Sequence, residues 1–284
     1  MIRSRAVSSR IARVALAVLA AALVAAPQAE ARSKSKATSA YAPAIPDPEF
    51  KGRYASPRFG DHKPVRIKGR KPHTYPVHGI DISRYQRNID WAAAKKAGVE
   101  FVFIKATEGK DNYDRLFRKH WADARKHGIA RSAYHFYYFC ASPEAQARNF
   151  IRRFPKEWTS LPPVLDLEWN HLSPSCKRRP KRKEVVRITK KWLSIVEKHY
   201  GQKPIIYLPI NFYRDNFDRG ELQGYQYWLR SVKAHPSKRF GDHPFQFWQY
   251  SGTGRISGYK GHMDLNAFNG TREDWRWWVA QNTR

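Results

Sequence analysis

The segment Leu161-Pro-Pro-Val-Leu-Asp-Leu-Glu-Trp169 sets two carboxylates one residue apart at the end of an apolar run. In an extended strand, side chains alternate between faces, so Asp166 and Glu168 share one face while Leu165 and Leu167 share the other. Like charges roughly 6–7 Å apart, twice the rise of a strand, raise each other's pKa values. A protonated carboxylic acid beside a carboxylate is the equipment for cleaving a glycosidic bond, one group protonating the leaving oxygen and the other stabilising charge on the sugar. A lone Asp-x-Glu fits a strand end satisfied by an arginine or a backbone amide equally well. The chemistry therefore depends on what the rest of the chain brings to the same place.

From Val77 onward, apolar runs alternate with helical patterns. His78–Ser83, Phe101–Thr107, Ala130–Phe139, Leu161–Trp169 and Pro204–Leu208 read as strands. Between them lie helical stretches near Ile89–Ala97, Leu116–His127, Ser142–Phe154 and Glu184–Tyr200. Gly98, Gly128 and Gly201 act as stops, and Ser142 with Pro143 as a start. In the Glu184–Tyr200 stretch, Val185, Ile188, Trp192 and Ile195 recur at three- and four-residue steps and form an apolar stripe. After Leu208 the candidate strands Gln226–Val232, Phe245–Ser251 and His262–Phe268 follow too closely for full crossover helices. The rhythm predicts an α/β fold: an irregular TIM-like barrel, five β/α units followed by three strands with few helices. A short helix carrying Trp275, Trp277 and Trp278 is expected to pack against it. An open doubly wound sheet is the alternative, but the chain has no Gly-rich phosphate loop.

In such a barrel, the site forms at the C-terminal ends of the strands. That end would gather Asp81 from the first strand, Asp166 and Glu168 from the fourth, and Asp264 from the last. Closure makes the first and last strands neighbours. Each acid alone has a structural role open to it; four together in so basic a chain point to a functional cluster.

With those elements in place, His78-Gly-Ile-Asp-Ile-Ser83, Phe103-Ile-Lys-Ala-Thr-Glu-Gly109, Ala133-Tyr-His-Phe136, Val164-Leu-Asp-Leu-Glu168, Ile206-Tyr207, Trp248-Gln-Tyr250 and Asp264-Leu-Asn266 resemble, in order, motifs of the glycoside hydrolase family 25 lysozymes. The resemblance implies hydrolysis of the bond from N-acetylmuramic acid to N-acetylglucosamine in peptidoglycan. It implies Glu168 as general acid, Asp166 as the group that orients and stabilises the reacting sugar, and Asp81 and Asp264 as supporting carboxylates. Tyr134, Tyr207 and Trp248 become candidates for lining the groove. Arg230 departs from the pattern, standing where the family has a small residue after the Trp-apolar pair. A non-catalytic wall- or polyanion-binding protein on the same fold is the competing reading.

The remaining signals bear on location and partners. Arg3, Arg5, Arg10 and Arg13 precede the apolar stretch Val14–Ala26, and Ala29-Glu30-Ala31 offers small residues for cleavage, so residues 1–31 read as an export signal. The stretch is too short for a permanent span, and the mature chain is expected to be periplasmic or extracellular without a transmembrane anchor. Residues 32–76 carry eleven basic and three acidic side chains with no apolar periodicity, which predicts a disordered or loosely attached basic arm, leaving 77–284 as the barrel domain. A formal charge of +29 favours polyanions. The arm and Lys177–Lys183, six basic residues of seven, are the candidates for contacting anionic envelope polymers. No nucleic-acid recognition motif accompanies them. Cys140 and Cys176 each follow a strand by a few residues and are predicted to form a disulfide. Two thiols without paired histidines do not make a metal site, and no cofactor is expected.

Overall fold

The computed structural model describes residues 57, 59–157, 159–170 and 172–283. The expected export signal, and residues 32–56 of the expected arm, lie outside them. Eight strands close into a barrel: β1 (His78–Ile82), β2 (Val99–Glu108), β3 (Ala130–Phe136), β4 (Val164–Asp166), β5 (Ile205–Pro209), β6 (Gln226–Arg230), β7 (Phe247–Arg255) and β8 (Met263–Phe268). Pairing is parallel from β1 through β7, and β8 runs antiparallel between β7 and β1. Helices α1 (Trp91–Ala97), α2 (Phe117–Lys126), α3 (Pro143–Arg153), α4 (Arg182–Tyr200) and α5 (Ile210–Asn216) follow the first five strands. The four-residue α6 (Ser237–Phe240) lies between β6 and β7, and α7 (Arg272–Asn282) ends the described chain.

The helix boundaries are set by local chemistry. The Asp90 side chain accepts from Ala93 N to cap α1, and Ser142 caps α3 with Pro143 in its first turn. Gly98 (φ 107°) and Gly201 (φ 68°) end α1 and α4 in the left-handed conformation that residues with a Cβ resist. Among the described residues, no helix is long and apolar enough to cross a membrane.

Strand alternation splits the core into two layers. Outward residues such as Ile80, Val102, Ile104, Leu165 and Ile206 pack against the helices, where Trp192, Phe150 and Phe212 are fully buried. Inward residues Phe101, Phe103, Val164, Ile205, Trp228, Phe247 and Phe268 fill the barrel. Trp275 and Trp278 of α7 close its N-terminal end, with Trp275 5.2 Å from the Phe268 ring and Trp278 5.2 Å from the Phe247 ring. Trp277 points to solvent.

Two boundaries differ from the sequence reading. Strand β4 stops at Asp166, not Trp169, although Leu167 N still donates to Tyr207 O (3.1 Å) and Leu167 is fully buried, so the alternation carries on past the formal strand end. The basic segment up to residue 76, expected to be loosely attached, is built into the barrel from residue 59. A two-residue strand, Gly60–Asp61, pairs antiparallel with Gly254–Arg255 of β7, and Lys68 bridges to Ala234. Ile67 and Tyr75 are buried, and the Tyr75 ring packs edge-on to Trp248 at 6.0 Å. The last strands lack long covering helices, so their outer face is left for the scattered apolar residues of this segment.

Candidate active site

The four acids of the sequence reading meet at the C-terminal end of the barrel. Asp81 and Asp264 are directly opposed Cα partners across the β1–β8 pairing. The charges of Glu168 and Asp81 both act on Asp166 and on Asp264, which places the four groups in one electrostatic neighbourhood. Asp81 and Asp166 are each only 7% exposed, whereas Glu168 and Asp264 reach solvent in part.

Asp81 is held from both sides. Gln249 Nε2 (2.9 Å) and Asn266 Nδ2 (2.8 Å) donate to its Oδ2. Each amide oxygen is in turn occupied: Tyr207 donates its hydroxyl to Gln249 Oε1 (3.0 Å), and Trp228 Nε1 donates to Asn266 Oδ1 (2.7 Å). An indole can only donate, so Trp228 fixes which end of the Asn266 amide faces the carboxylate. Burial raises the Asp81 pKa to about 6 against the lowering effect of these donors and of the nearby Arg230. For Asp264, burial and then the Asp81 charge push the pKa well above the usual carboxylate range, with Arg230 opposing. Two carboxyls facing each other in a desolvated site favour sharing a proton.

Asp166 differs in what it touches. Its pKa is raised well above the usual range by burial and then by the Glu168 charge, with Lys105 opposing. Its Oδ1 is buried and has no hydrogen-bond partner among the described residues. A buried acceptor left unmatched is costly in folding, so such a group calls for an explanation in function. Glu168 is anchored on both sides, by the outward-buried Leu167 and by Trp169, whose Nε1 donates to Asp215 Oδ2 (2.6 Å) and whose ring lies 4.6 Å from Phe212.

Of the three candidate groove aromatics, two face inward. Tyr134 and Tyr207 belong to the barrel interior beneath the acids, and burial followed by nearby carboxylates raises both phenol pKa values. Trp248 does not line a groove. Gln249 points inward, so Trp248 and Tyr250 point outward. Trp248 is fully buried there beside Tyr75 and His235, and its Nε1 donates to Ser231 O (2.8 Å). Lys105, Gln249 and Asn266 complete the site and had no assigned role from sequence; Arg230, the departure that the sequence marked as reshaping the groove, joins them. Strand parity was the available signal: Lys105 shares a face with Phe103, Gln249 with Phe247, and Asn266 with Asp264.

Cys140 and Cys176 form the expected disulfide, tying the chain that follows β3 to the chain that follows β4 and Glu168. The basic run beyond it is partly committed within the protein. Arg178 pairs with Glu184, Arg182 with Asp218 and Glu221, and Arg179 lies 5.5 Å over the Trp169 ring. Among the described residues, no group of three or more His, Cys, Asp or Glu side chains is arranged to hold a metal ion.

Comparison with known proteins agrees with this architecture. Residues 80–259 match the model of glycosyl hydrolases family 25. Lysozyme M1 of Streptomyces globisporus is 32% identical over 212 residues, covering 70% of this chain and 69% of its own length. A solved family 25 glycosyl hydrolase from Bacillus anthracis superposes with a TM-score of 0.65 at 34% identity, over 76% of this chain and 97% of that one. A bacterial lysozyme from Streptomyces coelicolor gives 0.63 at 31% identity, over 72% and 96%. The chain belongs to glycosyl hydrolase family 25 and is a hydrolase.

Proposed function

We propose that this hydrolase is an exported N-acetylmuramidase that cleaves the β-1,4 bond from N-acetylmuramic acid to N-acetylglucosamine in peptidoglycan. The names of its relatives, lysozyme among them, supply the substrate class. The observation that carries the mechanism is the buried, unmatched Asp166 Oδ1 beside Glu168.

Glu168, the more exposed of the two, protonates the glycosidic oxygen as the bond breaks. The acetamido group of the sugar closes onto the anomeric carbon, and Asp166 Oδ1 accepts its N–H. In the free enzyme, burial and mutual repulsion leave the Asp166–Glu168 pair holding one proton. The acetamido N–H, growing positive as the ring closes, favours the negative charge on Asp166 and leaves that proton on Glu168, so the stabilisation is greatest where it speeds the reaction. The separation of two acids on one strand falls between the spacings typical of covalent and of inverting glycosidases, about 5–5.5 Å and 6.5–9.5 Å. Assistance by the substrate accounts for a pair that approaches the sugar from one side. Asp81, braced by Gln249 and Asn266, and Asp264 opposite it hold the ring and tune the field on Glu168. The remaining exposed cations of Lys177–Lys183 and of the basic segment draw the enzyme to anionic envelope polymers.

The test is a mass spectrum of sugars released from purified peptidoglycan. The new reducing end should fall on muramic acid. A reducing end on glucosamine contradicts the bond assignment, and a sugar trapped covalently on Asp166 contradicts substrate assistance.

A further inference from the structure

Beside the acid cluster lies a cavity of about 630 Å³ between the basic segment and the ends of β6 and β7. Its wall includes Lys63, Arg66, Lys71, His73 and Arg230, against a single acid, Asp61. That acid is already satisfied: Ser251 and Thr253 donate their hydroxyls to it at 2.6 Å, and Lys63 donates its backbone N–H. Lys71 donates to Ile67 O. The Arg230 guanidinium makes no hydrogen bond or ion pair among the described residues, although it lies close enough to Asp81 and Asp264 to act on both. The cavity is therefore lined by an excess of cations, several of them uncommitted.

Arg230 and Gly252 belong both to this cavity and to the catalytic end of the barrel. A Cβ on Gly252 would sit 3.1 Å from Asp264 Oδ1 and 3.6 Å from Arg230 Nη2. A side chain at this position would crowd the gap between the acid cluster and the cavity. A sugar lying over four carboxyls cannot place an anionic substituent among them, because like charges in a desolvated site repel strongly. Past Gly252 the sign of the surroundings reverses.

We propose that this cavity is a subsite for an anionic substituent of the muramic acid, specifically a carboxylate of its peptide stem, received by the Arg230 guanidinium and the cations of the basic segment. This rests on the muramidase reading and deepens it. A guanidinium offers parallel N–H donors that match a carboxylate, and its planar fork selects orientation as well as charge. The stem leaves the ring through the lactyl ether, so an enzyme gripping it gains substrate affinity without touching the bond that breaks.

The experiment compares kcat/KM of the full chain on three soluble glycan fragments of equal length: with stems bearing free carboxylates, with the same stems amidated, and with no stems. The wild type should prefer free over amidated stems by about tenfold, the scale of one good charge-assisted pair, chiefly through KM. In Arg230→Gln that ratio should fall towards one. The double variant Lys63→Ala and Arg66→Ala, on the outer segment away from the carboxyl cluster, should lower the ratio in part, and it keeps the test valid if Arg230→Gln fails to fold. A wild-type ratio of one, or a ratio unchanged in both variants, overturns the subsite. Equal kcat/KM on stem-bearing and stem-free fragments overturns the carboxylate assignment. Failure of the wild type to cleave any of the fragments counts against the muramidase reading itself.

Discussion

At the end of the barrel where the parallel strands begin, inward positions carry Phe101, Val164, Ile205, Phe247 and Phe268; a few residues along the same strands they carry Lys105, Asp166, Tyr207, Gln249 and, on the reversed last strand, Asn266 and Asp264. One alternation builds both ends. The aromatic end is closed by Trp275 and Trp278, and the polar end is left for substrate. The difference shows how the two halves depend on each other. A dry aromatic floor, with Trp228 4.4 Å from Phe103 and 4.5 Å from Tyr207, removes water from beneath the carboxyls. That desolvation is the leading cause of the raised pKa values of Asp81, Asp166 and Asp264. The floor supplies stability, and the acids above it give some of that stability up.

The comparison can be broken most severely from the floor. Trp278→Ala removes a fully buried ring and the hydrogen bond from its Nε1 to Gln226 Oε1 (2.7 Å). It should cost about 3–5 kcal/mol in denaturant unfolding. The kcat of the molecules that remain folded should stay within about threefold of wild type, well short of the loss expected for a missing catalytic group. A parallel collapse of kcat would mean that the two ends are not separable.

A smaller effect of opposite sign is expected above the floor. A carboxyl whose pKa is raised on folding contributes stability below its ordinary range near 4 and loses it as pH rises through the folded value, about 6 for Asp81. Asp264→Asn leaves Asp81 without an opposing charge. It should raise stability by about 1 kcal/mol at pH 8, a figure discounted for the partial exposure of Asp264. Thermal melts at pH 8 and at pH 4 check it: the gain should appear at the first and vanish at the second, while hydrolysis falls at both. A gain independent of pH would show that repulsion between these acids is not its source.

Much of this was legible in the sequence because period-two and helical patterns report which face is buried. The eight barrel strands, the disulfide and the meeting of Asp81 with Asp264 all follow from alternation plus closure. What escaped has physical reasons. Ile67 and Tyr75 are isolated apolar residues in a basic stretch, and no local period shows that the barrel leaves an outer face for them. Trp248 lies in the run Phe247-Trp248-Gln249-Tyr250, where aromatics stand on both faces of the strand, so alternation alone does not say which face is inward. The Gln249 and Asn266 network was hidden because neutral amides announce no chemistry until the donors behind them are seen.

The central claim is that the acidic end performs hydrolysis with Glu168 as proton donor, and the most direct test is reducing-sugar release from purified peptidoglycan by Glu168→Gln, read beside its melting temperature. The variant should lose at least about a hundredfold in rate, the scale of general acid catalysis, with its melting temperature close to wild type. A near wild-type rate in a well-folded Glu168→Gln protein would contradict the account.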